Sequence, residues 1–196
     1  MKFWWRARGA LRDVLTLLAM LASLFLAGQD TIPIPTLSGV ATPTPVAVFA
    51  PLMLVISVGF GLSRRIDAEF VAARPIHLLD GAWIAALVVI AVAASTVLDT
   101  SGPQQLGLIA ARDTVGYIGL TLIGWRILGN HASAIVSVGY AIAAALLGYG
   151  AAGKTAPWAW PVAGPRDSLA MVVAIAIGCA GIATLANSSF LRAFRA

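Results

Sequence analysis

The chain has 196 residues, 60% of them hydrophobic and 11% charged, with a mean hydropathy of +0.91 and a formal net charge of +5. A domain folded in water is ordinarily about 45–50% apolar and about 25% charged, so this composition excludes a soluble globular domain and points to a chain whose solvent is lipid. The length fits one domain, residues 1–196. The single cysteine, Cys179, sits in an apolar run and leaves no intramolecular disulfide and no cysteine-based metal cluster.

Crossing the hydrocarbon takes about 20 apolar residues in a helix. Ahead of the first candidate, Phe3, Trp4 and Trp5 stand beside Arg6 and Arg8. They suit either a short helix lying in the interface or ordinary aromatic belt residues. The first span is expected over 11–28. Its basic start and apolar run resemble a signal peptide, but Asp13 interrupts the run and Leu26 stands where a cleavage site wants a small residue, so an uncleaved anchor is expected. Residues 29–45 are polar and carry Pro33, Pro35, Pro43 and Pro45, which cannot sit inside a helix and favour extended chain.

The second span is expected over 46–62, with Pro51 in its first turns. A charged segment, 63–77, follows, in which Ile66, Phe70 and Val71 are spaced for a short amphipathic helix, either docked on a partner or snorkelling at the interface. The third span is placed at 78–98 and the fourth at 107–128. Arg112 and Asp113 interrupt the fourth. Either they lie about 9–10 Å into a helix that starts near Leu106, or the span starts after Asp113 and both charges rest in the headgroups. Neighbouring side chains on a helix diverge by about 100°, so the two are not expected to pair well with each other, whereas Tyr117 shares a face with Asp113. Gly129, Asn130 and His131 form a turn before the fifth span, 132–149. Gly129, Ser133, Ser137, Ala141 and Ala145 are spaced four apart, a small-residue stripe suited to close helix packing. A Gly/Pro/Trp-rich loop precedes the sixth span, 167–190. The expected fold class is therefore all-α: a polytopic transmembrane bundle of about six spans.

The cations set its orientation. With six spans, Lys2, Arg6, Arg8, Arg12, Arg64, Arg65, Arg74, Arg126, Arg192 and Arg195 fall on one side, and Arg112, Lys154 and Arg166 on the other. A bias of ten to three predicts that both termini are cytoplasmic, in a multi-pass protein of a bacterial-type plasma membrane. The positive charge then reads as a topology signal and a contact with anionic lipid rather than as a nucleic-acid surface.

Chemistry-bearing patterns are sparse. Gly148 to Thr155 matches G-x-x-x-x-G-K-[ST], but that pattern needs a strand before it and a helix after it. Here an apolar helix precedes the loop, and Pro157 and Pro161 follow Lys154. His77 and His131 lie in different loops without metal-ligand spacing, and no serine sits in a nucleophile elbow. Asn187-Ser188-Ser189 forms a glycosylation sequon at the inner end of the last span. No catalytic, cofactor or metal site is expected, and no enzyme.

The layout resembles a reduced permease subunit of the ABC-2 type, an exporter family whose membrane subunits work with a separate ATPase. Phe3, Trp4, Trp5, Arg6 and Arg8 match the amphipathic elbow helix with which such permeases begin, and the segment from Arg64 to Arg74 occupies the place of their coupling helix. The stretch Arg112-Asp113-Thr114-Val115-Gly116 through Gly119-Leu120, with Trp158-Ala159-Trp160-Pro161 later, looks like small membrane proteins encoded beside transporters in high-GC actinobacteria. The resemblance implies the membrane subunit of a transport system, an ATPase partner on Arg64, Arg65, Ile66, Phe70 and Arg74, and a homo- or hetero-oligomer. The rival expectations are a non-transporting assembly, immunity or partner-binding factor, and a substrate-binding membrane subunit of a vitamin or metal importer.

Overall fold

The structure is a computed structural model. It describes residues 9–36, 41–63, 76–99, 105–129, 133–150 and 154–193, with the backbone alone at 76–78, 99 and 186–193. It is mostly helical. The order is α1 (Ala10–Ala27), β1 (Thr31–Pro35), β2 (Ala41–Pro45), a 3-10 turn (Val46–Val48), α2 (Pro51–Ser63), α3 (Ile76–Asp99), α4 (Leu106–Leu128), α5 (Ser133–Leu147), a second 3-10 turn (Trp160–Val162) and α6 (Ser168–Ala193). Helices lie over all six expected spans. Five stretches are long and apolar enough to cross a membrane, the second being the turn and α2 taken together, Val46–Ser63. These five are consistent with a membrane protein.

α5 differs from its expected span. It is 15 residues long, about 22 Å at 1.5 Å per residue, shorter than the hydrocarbon thickness of about 30 Å. The helix stops where the chain turns on itself: the Ala156 amide donates to the Gly148 carbonyl at 2.8 Å, and Tyr149 bridges to Thr155.

α4 is the centre of the bundle. In its apolar stretch 72% of residues are buried, against 22% in α1, α3 and α6, so the other helices wrap around it. Glycine makes the closest of these approaches. A Cβ on Gly119 would lie 2.7 Å from Gly178 Cα, and one on Gly181 2.7 Å from Gly119 Cα, so α4 and α6 meet backbone to backbone. Gly116 leaves room for the buried Trp160 ring, whose Cζ2 would stand 2.7 Å from a Cβ there.

The proline-rich stretch is extended, as its composition predicts, but it is also paired. β1 and β2 form an antiparallel hairpin with Pro33 opposite Pro43, Thr31 opposite Pro45 and Pro35 opposite Ala41. Opposed pairs in such a ladder alternate between hydrogen-bonded and non-bonded. Prolines two apart on both strands therefore fall together on non-bonded pairs, leaving Ile32–Thr44 and Ile34–Thr42 to exchange amide hydrogen bonds. Ile34 packs with Val48, Ile109, Ala144 and Val162, so the hairpin caps one end of the bundle.

Candidate functional site

Two buried clusters, each built on an Arg-Asp dipeptide, brace opposite ends of the bundle. The first begins in the opening turns of α1. Asp13 falls on the same face as Ala10, Leu17 and Met20, and so points inward. A carboxylate there is costly unless its oxygens are paired. Oδ1 accepts from Ser57 Oγ at 2.5 Å and Arg12 Nη2 at 3.3 Å, and Oδ2 accepts from Trp83 Nε1 at 3.1 Å. Arg12 also donates through Nε to Ser57 Oγ at 2.9 Å and through Nη2 to the Ser57 carbonyl at 2.8 Å. The cluster thus ties α1, α2 and α3 together. Asp13, Asp80 and Trp83 line a cavity of about 20 Å³, the size that holds about one water. Ser57, Asp80 and Trp83 carried no signal in the sequence, because their partners lie far along the chain and no local spacing marks them.

The second cluster sits in α4. The helix begins at Leu106, so Arg112 and Asp113 lie in its second turn, with side chains 1% and 0% exposed. They pair, contrary to the expectation drawn from helix geometry: Arg112 Nε donates to Asp113 Oδ1 at 3.0 Å. Their Cβ directions diverge, but the long arginine stem bends back, and the rest of the guanidinium is fixed elsewhere. Nη1 donates to the Gly164 carbonyl at 3.0 Å, and Nη2 to those of Pro161 and Ala163 at 2.9 and 3.1 Å. Four of the five guanidinium donor positions are thereby visible in use, clamping the loop after the 3-10 turn onto α4. Tyr117, one turn beyond Asp113, packs against Trp160 with ring centroids 5.2 Å apart, and Tyr140 of α5 stacks on the same Trp160 at 5.8 Å.

The small-residue stripe belongs to contacts within the chain. Ser133, Ser137, Ala141 and Ala145 are all buried. Ser137 Oγ donates to the Tyr117 carbonyl at 2.8 Å and shares a 2.7 Å hydrogen bond with Thr121 Oγ1 of α4. Ser133 Oγ reaches the Gly59 carbonyl of α2 at 3.4 Å. Gly129 is not part of the stripe. It caps α4 with φ of 84° and ψ of −173°, a backbone region that glycine accepts without strain, and lies outside α5, which begins at Ser133.

The other sequence candidates divide simply. Arg64, Arg65, Ile66, Phe70 and Arg74 lie outside the described residues, as do Phe3, Trp4, Trp5, Arg6 and Arg8. His131 and the side chain of His77 lie outside them too, and among the described residues no three metal-ligating side chains converge. Lys154 lies on an antiparallel turn, and the next α-helix starts at Ser168, so its neighbouring amides do not form a helix N-terminus.

One larger feature remains. An apolar groove of about 470 Å³ runs between α3, α4 and α6, lined by Gly81, Ala85 and Val89, by Val115 and Leu122, and by Ile182. No family model, no curated protein and no solved structure matches the chain.

Proposed function

We propose that the chain is the integral membrane subunit of a transport system in a bacterial-type plasma membrane, the permease partner of a separate ATPase, with both termini in the cytoplasm. The observation that carries this reading is where the first Arg-Asp cluster sits. Arg12 and Asp13 lie in the first turn of α1, Ser57 midway along α2 and Trp83 about two turns into α3. The cluster thus joins the two helices between which the 64–75 segment runs in sequence. By sequence that segment is the most highly charged connection in the chain, carrying Arg64, Arg65, Asp67, Glu69 and Arg74 around Ile66 and Phe70. A docking element transmits force only if its base is rigid. A buried carboxylate bonded to three helices supplies that rigidity, and the segment supplies apolar anchors within a polar rim.

The test is a pull-down from cells expressing the chain with its neighbouring genes. An ATPase should co-purify with the unaltered chain, and Phe70→Ala or Arg65→Glu should weaken its recovery at least tenfold while leaving membrane insertion intact. If no ATPase is recovered with the unaltered chain, a non-transporting partner-binding protein becomes the better account.

A further inference from the structure

Six buried polar side-chain atoms among the described residues make no hydrogen bond: Thr42 Oγ1, Thr44 Oγ1, Ser95 Oγ, Asp113 Oδ2, Tyr117 Oη and Trp160 Nε1. Native interiors pair nearly all such groups. The distribution is one-sided. Thr42 and Thr44 lie on the hairpin, and Asp113 and Tyr117 in the half of α4 that begins beside it. Trp160 packs on Tyr117, and Ser95 lies in the end of α3 remote from Trp83. In the cluster at the other end of the bundle, both Asp13 carboxylate oxygens are bonded.

Ile109, Asp113 and Tyr117 are four apart and so share one face of α4, with Tyr117 about 12 Å along from Ile109 at 1.5 Å per residue. Ile34 of β1 packs in the cluster that contains Ile109. The hairpin therefore stands at the head of this face. Asp113 Oδ2 and Tyr117 Oη, sealed from solvent and unbonded, forgo the hydrogen bonds they would make in water. An arrangement that admits water along the face restores those bonds.

What is tied down decides what moves to admit it. Arg112 bonds to the carbonyls of Pro161, Ala163 and Gly164 and fixes the loop they belong to. On β1, by contrast, Thr31, Ile32, Pro33 and Pro35 are exposed, and only Ile34 is half-buried. The hairpin is closed at its own base, where the Val46 amide donates to the Asp30 carbonyl at 3.0 Å, so it can lift as a unit.

We propose that the β1–β2 hairpin is a lid, and that lifting it away from Ile109 opens a water path along α4 to Asp113 and Tyr117. This goes beyond the transport reading and needs no ATPase.

The experiment is hydroxyl-radical footprinting of the full chain in mild detergent, read residue by residue by mass spectrometry. Ile34→Ala loosens the lid, whereas Ile32→Ala removes an exposed side chain and leaves it seated. Oxidation of Tyr117 and Trp160 should rise at least fivefold in Ile34→Ala and stay unchanged in Ile32→Ala. Met20, fully buried among the helices, should not respond in either. Unchanged oxidation of Tyr117 and Trp160 in Ile34→Ala overturns the proposal, and so does an equal rise at Met20, which would mean that the whole bundle loosens. A second measurement leaves Ile34 in place. With the exposed Cys179 replaced by serine, Thr44→Cys should react with a water-soluble maleimide at least tenfold faster than Thr114→Cys. Both threonines are fully buried, but Thr114 is bonded to its own helix through the Ala110 carbonyl at 2.7 Å, on a different face from Asp113. Equal rates at the two positions overturn the lid.

Discussion

The dipeptide Arg-Asp occurs at 12–13, 112–113 and 166–167, each time near the start of a helix, and each copy does something different. Asp167 is an ordinary cap, its Oδ1 accepting from the amides of Leu169 and Ala170, while the exposed Arg166 donates to Gln105 Oε1 at 2.9 Å. Asp13 joins three helices. Arg112 holds both a buried carboxylate and the three carbonyls of a loop. These differences predict different costs. Removing one partner of a buried ion pair typically costs about 3–5 kcal/mol, because the other charge is left without compensation. Arg112→Ala should fall in that range, and Arg112→Lys should recover only part of the loss, since an ammonium cannot serve divergent acceptors as a planar fork does. Arg166→Ala should cost no more than about 1 kcal/mol, as for other surface pairs. Thermal unfolding in detergent compares the three. Equal behaviour of Arg112→Ala and Arg166→Ala would show that the loop clamp contributes nothing to stability.

Between one element and the next, α5 is held by atoms too small to leave slack. Ser137 sits against Tyr117 and Thr121, and Gly124 accommodates Val136 Cγ2 at 2.8 Å from where a Cβ would be. Overpacking such a contact typically costs about 1–3 kcal/mol. Ser137→Leu should show that loss, with the two hydroxyl hydrogen bonds gone as well. Gly139 is exposed and has open space around it, so Gly139→Ala should raise stability by up to about 1 kcal/mol through helix propensity alone. Urea or thermal melts of the two variants should move in opposite directions, and a shared direction would refute the assigned face. The stripe itself was legible, because small residues four apart are a local pattern. Its partner was not: Ser137 meets residues sixteen and twenty positions earlier. The same distinction holds elsewhere. Apolar runs mark the helices well and prolines mark the extended stretch. The pairing of Pro33 with Pro43, the bond from Trp83 to Asp13 and the seat of Trp160 over Gly116 depend on contacts that no local spacing records.

At the scale of the whole molecule, the open question is whether α5 counts as a crossing. Five long helices alone would put the termini on opposite sides, and a sixth crossing would put them on the same side. Length by itself argues against α5, whose 15 residues are short for a bilayer. Its neighbours argue for it. Ser133 lies beside Gly59 near the end of α2, and Ala144 and Ala145 cluster with Val48 before α2 and with Ile109 in the first turn of α4. α5 therefore runs from one end of the bundle to the other alongside helices long enough to cross. We expect reporter fusions after Arg65 and Arg195 to read as cytoplasmic, and fusions after Gly28, Gly102 and Lys154 as external, in agreement with the ten-to-three division of lysine and arginine. The fusion after Lys154 decides the matter. A cytoplasmic signal there would mean that α5 enters and returns on one side, and both the cation count and the six-crossing bundle would have to be abandoned.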